Sequence, residues 1–241
     1  MKTLCKLLGG SHLYGLANKD SDIDHRGVFC NTELSKIIGL DRFDCENKQN
    51  NEVDSILFEI RHYFNLLRKT NTQVLEILFA PRSSFLELDA KFEELVLNNR
   101  DKFVDSKRFF KSLMGYAQGE RRLVNGERAG KIGKKRYESV KRFGYSPKNL
   151  VNYLRLMLVG EHFFETGNYI VDCSQFKEYD SLKMIKNNPE RLSVDYVNGL
   201  MDSLEEITKL SFYNRDQSKD LTFDEEYANN CLLEIYKEFL E

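Results

Sequence analysis

The chain has 241 residues, 41% of them hydrophobic and 31% charged, with a net charge of −2, enough to bury one large core or two modest ones. No apolar run reaches the length that spans a bilayer, and Leu4-Cys5-Lys6-Leu7-Leu8 after Met1-Lys2-Thr3 is too short for a secretory leader, so a cytoplasmic protein with no membrane partner is expected. Cys5, Cys30, Cys45, Cys173 and Cys231 lack the paired spacing of a zinc site and are expected to be reduced thiols.

Residues 3–8 read as a strand or helix end running into the Gly10-Ser11 turn, and residues 11–17 as a short helix. Gly10 puts no side chain in the way, so the Gly10-Ser11 backbone N–H groups and hydroxyl can approach a phosphate. Ile23–Phe29 then reads as a strand. Asp22 and Asp24 flank Ile23, and the alternation of strand side chains predicts both carboxylates on one side with Ile23 buried on the other. Adjacent carboxylates repel unless a cation sits between them, and hard oxygen ligands suit Mg²⁺ or Mn²⁺.

Asp44–Glu52 is polar and reads as a loop, followed by a strand over Val53–Glu59. Ile60, Tyr63, Phe64, Leu66 and Leu67 repeat with a helical period. Val74–Phe79 is an apolar run halted by Pro81, and Phe85–Asn98 reads as a helix. The α/β part is expected to end near residue 104. From there Phe109–Gln118, Pro147–Thr166, Val194–Lys209 and Tyr227–Leu240 read as helices, with Gly167-Asn168 and Pro189 as stops. The expected organisation is an α+β core over residues 1–104 and a mostly helical part over 105–241.

Charge is unevenly spread. Between Ser106 and Lys148 stand thirteen Lys or Arg against three Glu, whereas from Asp172 onward sixteen acidic residues face eight basic ones. The basic segment 106–148, with Arg121-Arg122, Arg128, Lys131, Lys134-Lys135-Arg136 and Lys141-Arg142, would attract polyphosphate or RNA. The competing reading is a solvated segment whose charges pair with the acidic tail.

Gly10-Ser11, a short gap, and Ser21-Asp22-Ile23-Asp24 together resemble the signature of the DNA polymerase β-like nucleotidyltransferase superfamily. Within it, Gly10-Ser11-His12-Leu13-Tyr14-Gly15-Leu16 with Ser21-Asp22-Ile23-Asp24-His25-Arg26-Gly27 resembles the RNA-ligase-associated (RlaP) family. Glu59-Ile60-Arg61-His62-Tyr63-Phe64, Asn71, Leu75-Glu76-Ile77-Leu78, Gly144-Tyr145-Ser146-Pro147-Lys148 and Leu154-Arg155-Leu156 extend the likeness over roughly the first 170 residues. The resemblance implies a mixed sheet with flanking helices, including a short one over Ser35–Leu40, and a metal-dependent enzyme that uses a nucleoside triphosphate and two Mg²⁺ or Mn²⁺ ions. Family members often carry His at the position of Asn152, where this chain departs.

The catalytic metal ligands expected are Asp22, Asp24 and a third carboxylate, because a two-metal site holds the ion shared with the attacking hydroxyl from another side. Asp54 and Glu59 compete for that place, and the resemblance favours Asp54. Gly10, Ser11 and His12 are expected at the nucleotide. Lys148, Asn152 and Arg155 are spaced to share one helix face, which the resemblance turns toward the nucleotide. His25 should point away from the carboxylates, while Arg26 braces them. Tyr116 and Gln118 are weaker candidates for the base. The acceptor expected is an RNA or tRNA end; a protein hydroxyl, and a non-catalytic nucleotide- or RNA-binding module, are the alternatives.

Overall fold

The computed structural model describes residues 1–19, 21–49, 53–127 and 134–240, apart from the side chains of Gln49 and Lys135. Asp20 of the motif, residues 50–52 of the polar run, and Arg128 and Lys131 of the basic segment lie outside the described residues. The chain forms two compact units, Met1–Phe109 with Asp220–Glu241, and Phe110–Lys219.

The first unit is built on a mixed sheet of β1 (Lys2–Leu8), β2 (Ile23–Cys30), β3 (Cys45–Gln49), β4 (Val53–Glu59) and β5 (Phe85–Leu88), in the order β3-β4-β2-β1-β5. β2 and β4 are parallel, and the other pairs antiparallel. Leu4, Cys5 and Leu7 of β1 and Val28, Phe29 and Cys30 of β2 are buried. Between the strands lie α1 (Gly10–Leu13), α2 (Leu34–Ile38), α3 (Ile60–Arg68) and α4 (Thr72–Leu78), and α5 (Ala90–Leu95) follows β5. Ile60, Tyr63, Phe64 and Leu67 of α3 are its buried stripe, as the period predicts. Val74, Leu75, Ile77 and Leu78 make α4 a short helix at the centre of the core.

Two expectations fail here. The helix predicted over Phe85–Asn98 begins as β5, with Cys5 opposite Leu88 and Lys6 opposite Glu87; the open edge of β1 supplies ladder partners that outweigh a weak helical pattern. The helix itself starts at Ala90, where the Asp89 carboxylate accepts from the N–H groups of Lys91 and Phe92. The polar run also contains a strand, β3, which lies at the sheet edge and so needs little apolar content.

The C-terminal helix belongs to the first unit, so the division expected at residue 104 is drawn differently. The chain leaves this unit within α6 (Ser106–Val124) and returns at Asp220 to form α11 (Glu225–Leu240). Phe223, Ala228, Cys231 and Ile235 are buried. The guanidinium of Arg68 donates twice to Glu225, Tyr227 Oη donates to Leu95 O at 2.9 Å, and Tyr236 Oη donates to Glu59 Oε1 at 2.6 Å. Each fully buried apolar side chain contributes about 1.5–3 kcal/mol. Removing residues 220–241 is therefore expected to lower the melting temperature by more than 10 °C, measured by circular dichroism; an unchanged melt would refute this role for α11.

The second unit is helical. It holds most of α6, with α7 (Lys134–Phe143), α8 (Pro147–Thr166), α9 (Tyr179–Asn187) and α10 (Val194–Asn214). Pro147 opens α8 and Gly167, at φ +79°, closes it, both where the sequence placed the signals. α7 and α9 were not anticipated, and α6 runs past Gln118. At Gly160 of α8 an added Cβ would overlap Leu113 Cδ2 of α6 and come within 3.0 Å of Thr208 Cγ2 of α10. Gly160→Ala is expected to destabilise the protein by about 1–3 kcal/mol through overpacking, read from denaturant unfolding.

No disulfide links the five cysteines. Burial pushes the Cys30 thiol up to about 12, in keeping with an inert core thiol. Among the described residues no helix is long and apolar enough to cross a membrane.

Candidate functional site

Parallel pairing of β2 with β4 sets the geometry of the carboxylates. Ile23 stands opposite Val53, Asp24 opposite Asp54, and His25 opposite Ser55. Register partners share a sheet face, and neighbouring strands lie about 4.7–4.9 Å apart, so Asp24 and Asp54 leave the same face side by side. Asp22 precedes the strand and is exposed. Ile23 was expected to be buried but is 42% exposed, because it is the first residue of β2 and stands at the open end of the sheet.

The turn carrying Gly10 and Ser11 is tied to this point from two directions. Gly9 N–H donates to Asp24 O at 2.7 Å. Gly10 adopts φ +56°, and an added Cβ there would overlap Asp24 Oδ2. Glycine is thus required twice over, by the left-handed backbone and by the carboxylate packed on its Cα. At Gly9 a Cβ would come within 2.7 Å of Arg26 Cγ; the bare Cα leaves the arginine room to lie beside Asp24, with Nη2 3.9 Å from Oδ1. Gly27 allows β2 to pass the Cys5 carbonyl and the Leu57 side chain.

α1 begins at Gly10 itself, so Gly10 and Ser11 form its first turn. Ser11 is half-buried and His12 exposed, while Leu13 and Leu16 are buried and hold the segment down. Tyr14 caps the C-terminus of α1, and its hydroxyl donates to Glu76 Oε2 of α4 at 2.5 Å. Sequence reasoning missed this pair. Its signal was a single carboxylate inside the otherwise apolar run Val74–Phe79, a placement that needs a partner.

Glu59 is placed otherwise than Asp54. It is 1% exposed; Oε2 accepts from Arg61 N–H at 2.9 Å, and Oε1 from Tyr236 Oη. Both oxygens are engaged at the start of α3, whereas Asp54 stands beside Asp24 at the other end of the strand. His25 lies on the opposite side of β2 from Asp24 by alternation. Burial, with the positive charges of Lys6 and Arg26, holds its pKa below the ordinary value.

The donor set fits a hard divalent ion: two neighbouring carboxylates of the kind Mg²⁺ takes alongside waters and substrate phosphates. Among the described residues, however, no group of three or more His, Cys, Asp or Glu is gathered to hold a metal.

In the second unit, Lys148 is exposed at the first turn of α8. Arg155 is 1% exposed and donates from Nε and Nη2 to Asn152 Oδ1, at 3.3 and 2.8 Å. The structure thus brings Asn152 and Arg155 together, the arginine buried and the asparagine half-buried. Tyr116 is half-buried and Gln118 exposed on α6. Part of the basic segment pairs with the acidic tail: Arg121 Nη2 meets Asp202 at 2.5 Å and Nη1 meets Glu205 at 3.3 Å. Arg136 Nε donates to Asn149 Oδ1 at 3.1 Å. Arg122, Lys134, Lys141 and Arg142 are exposed.

Comparison with known proteins adds two findings. The family described as "RNA repair pathway DNA polymerase beta family", RlaP, matches residues 1–185. An alignment 127 positions long that covers 49% of the chain is 27% identical to a protein of Enterobacteria phage T4, "Uncharacterized 38.9 kDa protein in nrdC-mobD intergenic region". The match spans 37% of the phage protein, little more than a third of its length.

Proposed function

We propose, since this chain belongs to the RNA repair pathway DNA polymerase beta family, that it is a nucleotidyltransferase moving a nucleoside monophosphate from a nucleoside triphosphate to an acceptor hydroxyl, with release of pyrophosphate. The observation that carries the reading is the side-by-side placement of Asp24 and Asp54 in the parallel β2–β4 register, with the glycine turn packed on Asp24. Asp24 and Asp54, joined by Asp22, would hold Mg²⁺ or Mn²⁺. A bound divalent ion supplies Lewis-acid chemistry here, lowering the pKa of an attacking hydroxyl and stabilising charge on phosphate oxygens.

The remaining work falls to the chain's own groups. Ser11 Oγ and the backbone N–H groups of the turn donate to the β and γ phosphates, with His12 at the rim. Arg26 offsets part of the repulsion between Asp24 and Asp54. Within the second unit, Arg155 fixes the Asn152 amide through its guanidinium, and Lys148 offers an exposed positive charge at the start of α8. Exposed Arg122, Lys134, Lys141 and Arg142 favour an RNA end as acceptor, since phosphate contacts supply sequence-independent affinity.

The reading is tested by incubating the protein with each α-³²P-labelled nucleoside triphosphate, Mg²⁺ or Mn²⁺, and total RNA or cell protein, then resolving the products on a gel. Label is expected in an RNA band. Label in protein would transfer the proposal to a side-chain hydroxyl acceptor, and no label with the triphosphate intact would overturn it in favour of a binding module.

A further inference from the structure

The nucleotidyltransferase reading leaves Tyr14 and Glu76 without a role, although the structure joins them across 62 positions of sequence. Glu76 sits in α4 among Val74, Leu75, Ile77 and Leu78, each with no exposed surface, and is itself 9% exposed. A carboxylate in such surroundings is costly unless hydrogen-bonded. Burying it can be sustained when it fixes something, and its partner Tyr14 is the residue that ends α1, three positions after Ser11.

α1 has four residues, and no side chain caps its N-terminus. So short a helix has almost no intrinsic stability, and its position depends on what it is fastened to. One end is fastened to β2, through the Gly9–Asp24 backbone bond and the contact of Gly10 with the Asp24 carboxylate. The other is fastened to α4 through Tyr14 Oη and Glu76 Oε2. α4 is in turn held by its buried side chains and by Asn71, whose Oδ1 accepts from Gln73 N–H at 2.9 Å.

We propose that Glu76 is a positioning residue: through the Tyr14 hydroxyl it anchors the phosphate-binding turn to the core, so that Ser11 and the turn amides are preorganised for the triphosphate. The claim rests on the nucleotidyltransferase reading for its consequence, and on the geometry alone for the anchoring. The role needs a hydrogen-bond acceptor at position 76 and not a negative charge, which separates it from the carboxylates on the strands.

The test compares Tyr14→Phe, Glu76→Gln, Glu76→Leu and the double variant Tyr14→Phe/Glu76→Leu in the full chain. Three quantities are read: amide hydrogen exchange over residues 9–16, the Kd of a non-hydrolysable nucleoside triphosphate analogue, and kcat/KM. Tyr14→Phe and Glu76→Leu are each expected to speed exchange in the turn and to raise Kd by roughly tenfold, the scale of one lost hydrogen bond. Glu76→Gln keeps an acceptor oxygen and should stay within about threefold of wild type, and the double variant should be no worse than either parent. Unchanged exchange in Tyr14→Phe would overturn the anchoring. So would Glu76→Gln as impaired as Glu76→Leu, because the charge would then be what matters. Faster exchange in the variants of a protein that binds no nucleotide at all would uphold the anchoring and overturn the nucleotide reading.

Discussion

Asp24→Asn should abolish nucleotidyl transfer, with a loss on the order of 10³-fold or more, while leaving the fold intact. Asp24 is the carboxylate on which three features converge: its register partner is Asp54, its backbone carbonyl receives Gly9 N–H, and its side chain lies on Gly10. Asparagine keeps the shape and the neutral hydrogen-bonding capacity. It removes the charge that would hold a divalent ion beside Asp54. Stability should change little, since the ion pair with Arg26 is long at 3.9 Å and both side chains are 25% exposed, conditions under which such a pair contributes about 0–1 kcal/mol. Relief of repulsion from Asp54 acts in the opposite direction. The measurement is label transfer from an α-³²P-labelled triphosphate alongside a thermal melt; retained transfer would remove Asp24 from the site, and a collapsed melt would make its role structural.

Gly10→Ala is expected to be nearly as damaging by a different route. At φ +56° an alanine costs about 1–2 kcal/mol. The added methyl also overlaps Asp24 Oδ2 and lies 3.0 Å from Cγ. The carboxylate has little room to yield, because its own backbone is tied to Gly9. Either the turn lifts from β2 or Asp24 rotates away from Asp54, and both outcomes separate phosphate binding from the carboxylates. We expect kcat/KM to fall by about 10²-fold or more, since misplacement of about 1 Å has that cost, with a stability loss of about 1–3 kcal/mol. Gly199→Ala in α10, where the added Cβ meets nothing within 4 Å beyond its chain neighbours and its own helix backbone, serves as the control. It should leave activity unchanged and stabilise the protein by about 0.5–1 kcal/mol.

Local sequence carried the parts of the site that depend on local chemistry. The Gly10-Ser11 turn, the strand with Asp24 and the strand with Asp54 each have a short-range signature, and the structure forms all three. The register that sets Asp24 beside Asp54 is a long-range fact, and no periodicity contains it. The same limit explains β5, whose Phe-Leu-Glu-Leu sequence is ambiguous until β1 offers an edge. It explains β3 too, where Cys45–Gln49 reads as loop because an edge strand is free to be polar. Ile23 illustrates the complementary error: alternation predicts which side a residue faces, but burial on that side depends on how far the covering layer reaches, and at the tip of β2 it does not reach.

Buried polar residues were the least legible class. Glu59 and Glu76 each stand beside apolar residues in the sequence, and each is engaged by a tyrosine hydroxyl from elsewhere, Tyr236 and Tyr14 respectively. The helical spacing of Arg155 puts it on one face with Lys148 and Asn152 but carries no sign that it lies buried against Asn152. The placement of the last helix was also hidden, because its amphipathic pattern shows that Ala228, Cys231 and Ile235 need covering without showing by what.

The most direct test of the central claim is to follow both halves of the nucleotide in one reaction, using triphosphate labelled at the α or the γ position, with wild type and Asp24→Asn side by side. The nucleotidyltransferase account predicts that α label becomes acid-precipitable on the acceptor while γ label appears as pyrophosphate in equal amount, and that both signals vanish in the variant. Release of γ label as orthophosphate, with no α label on any acceptor, would contradict it and identify a phosphohydrolase instead.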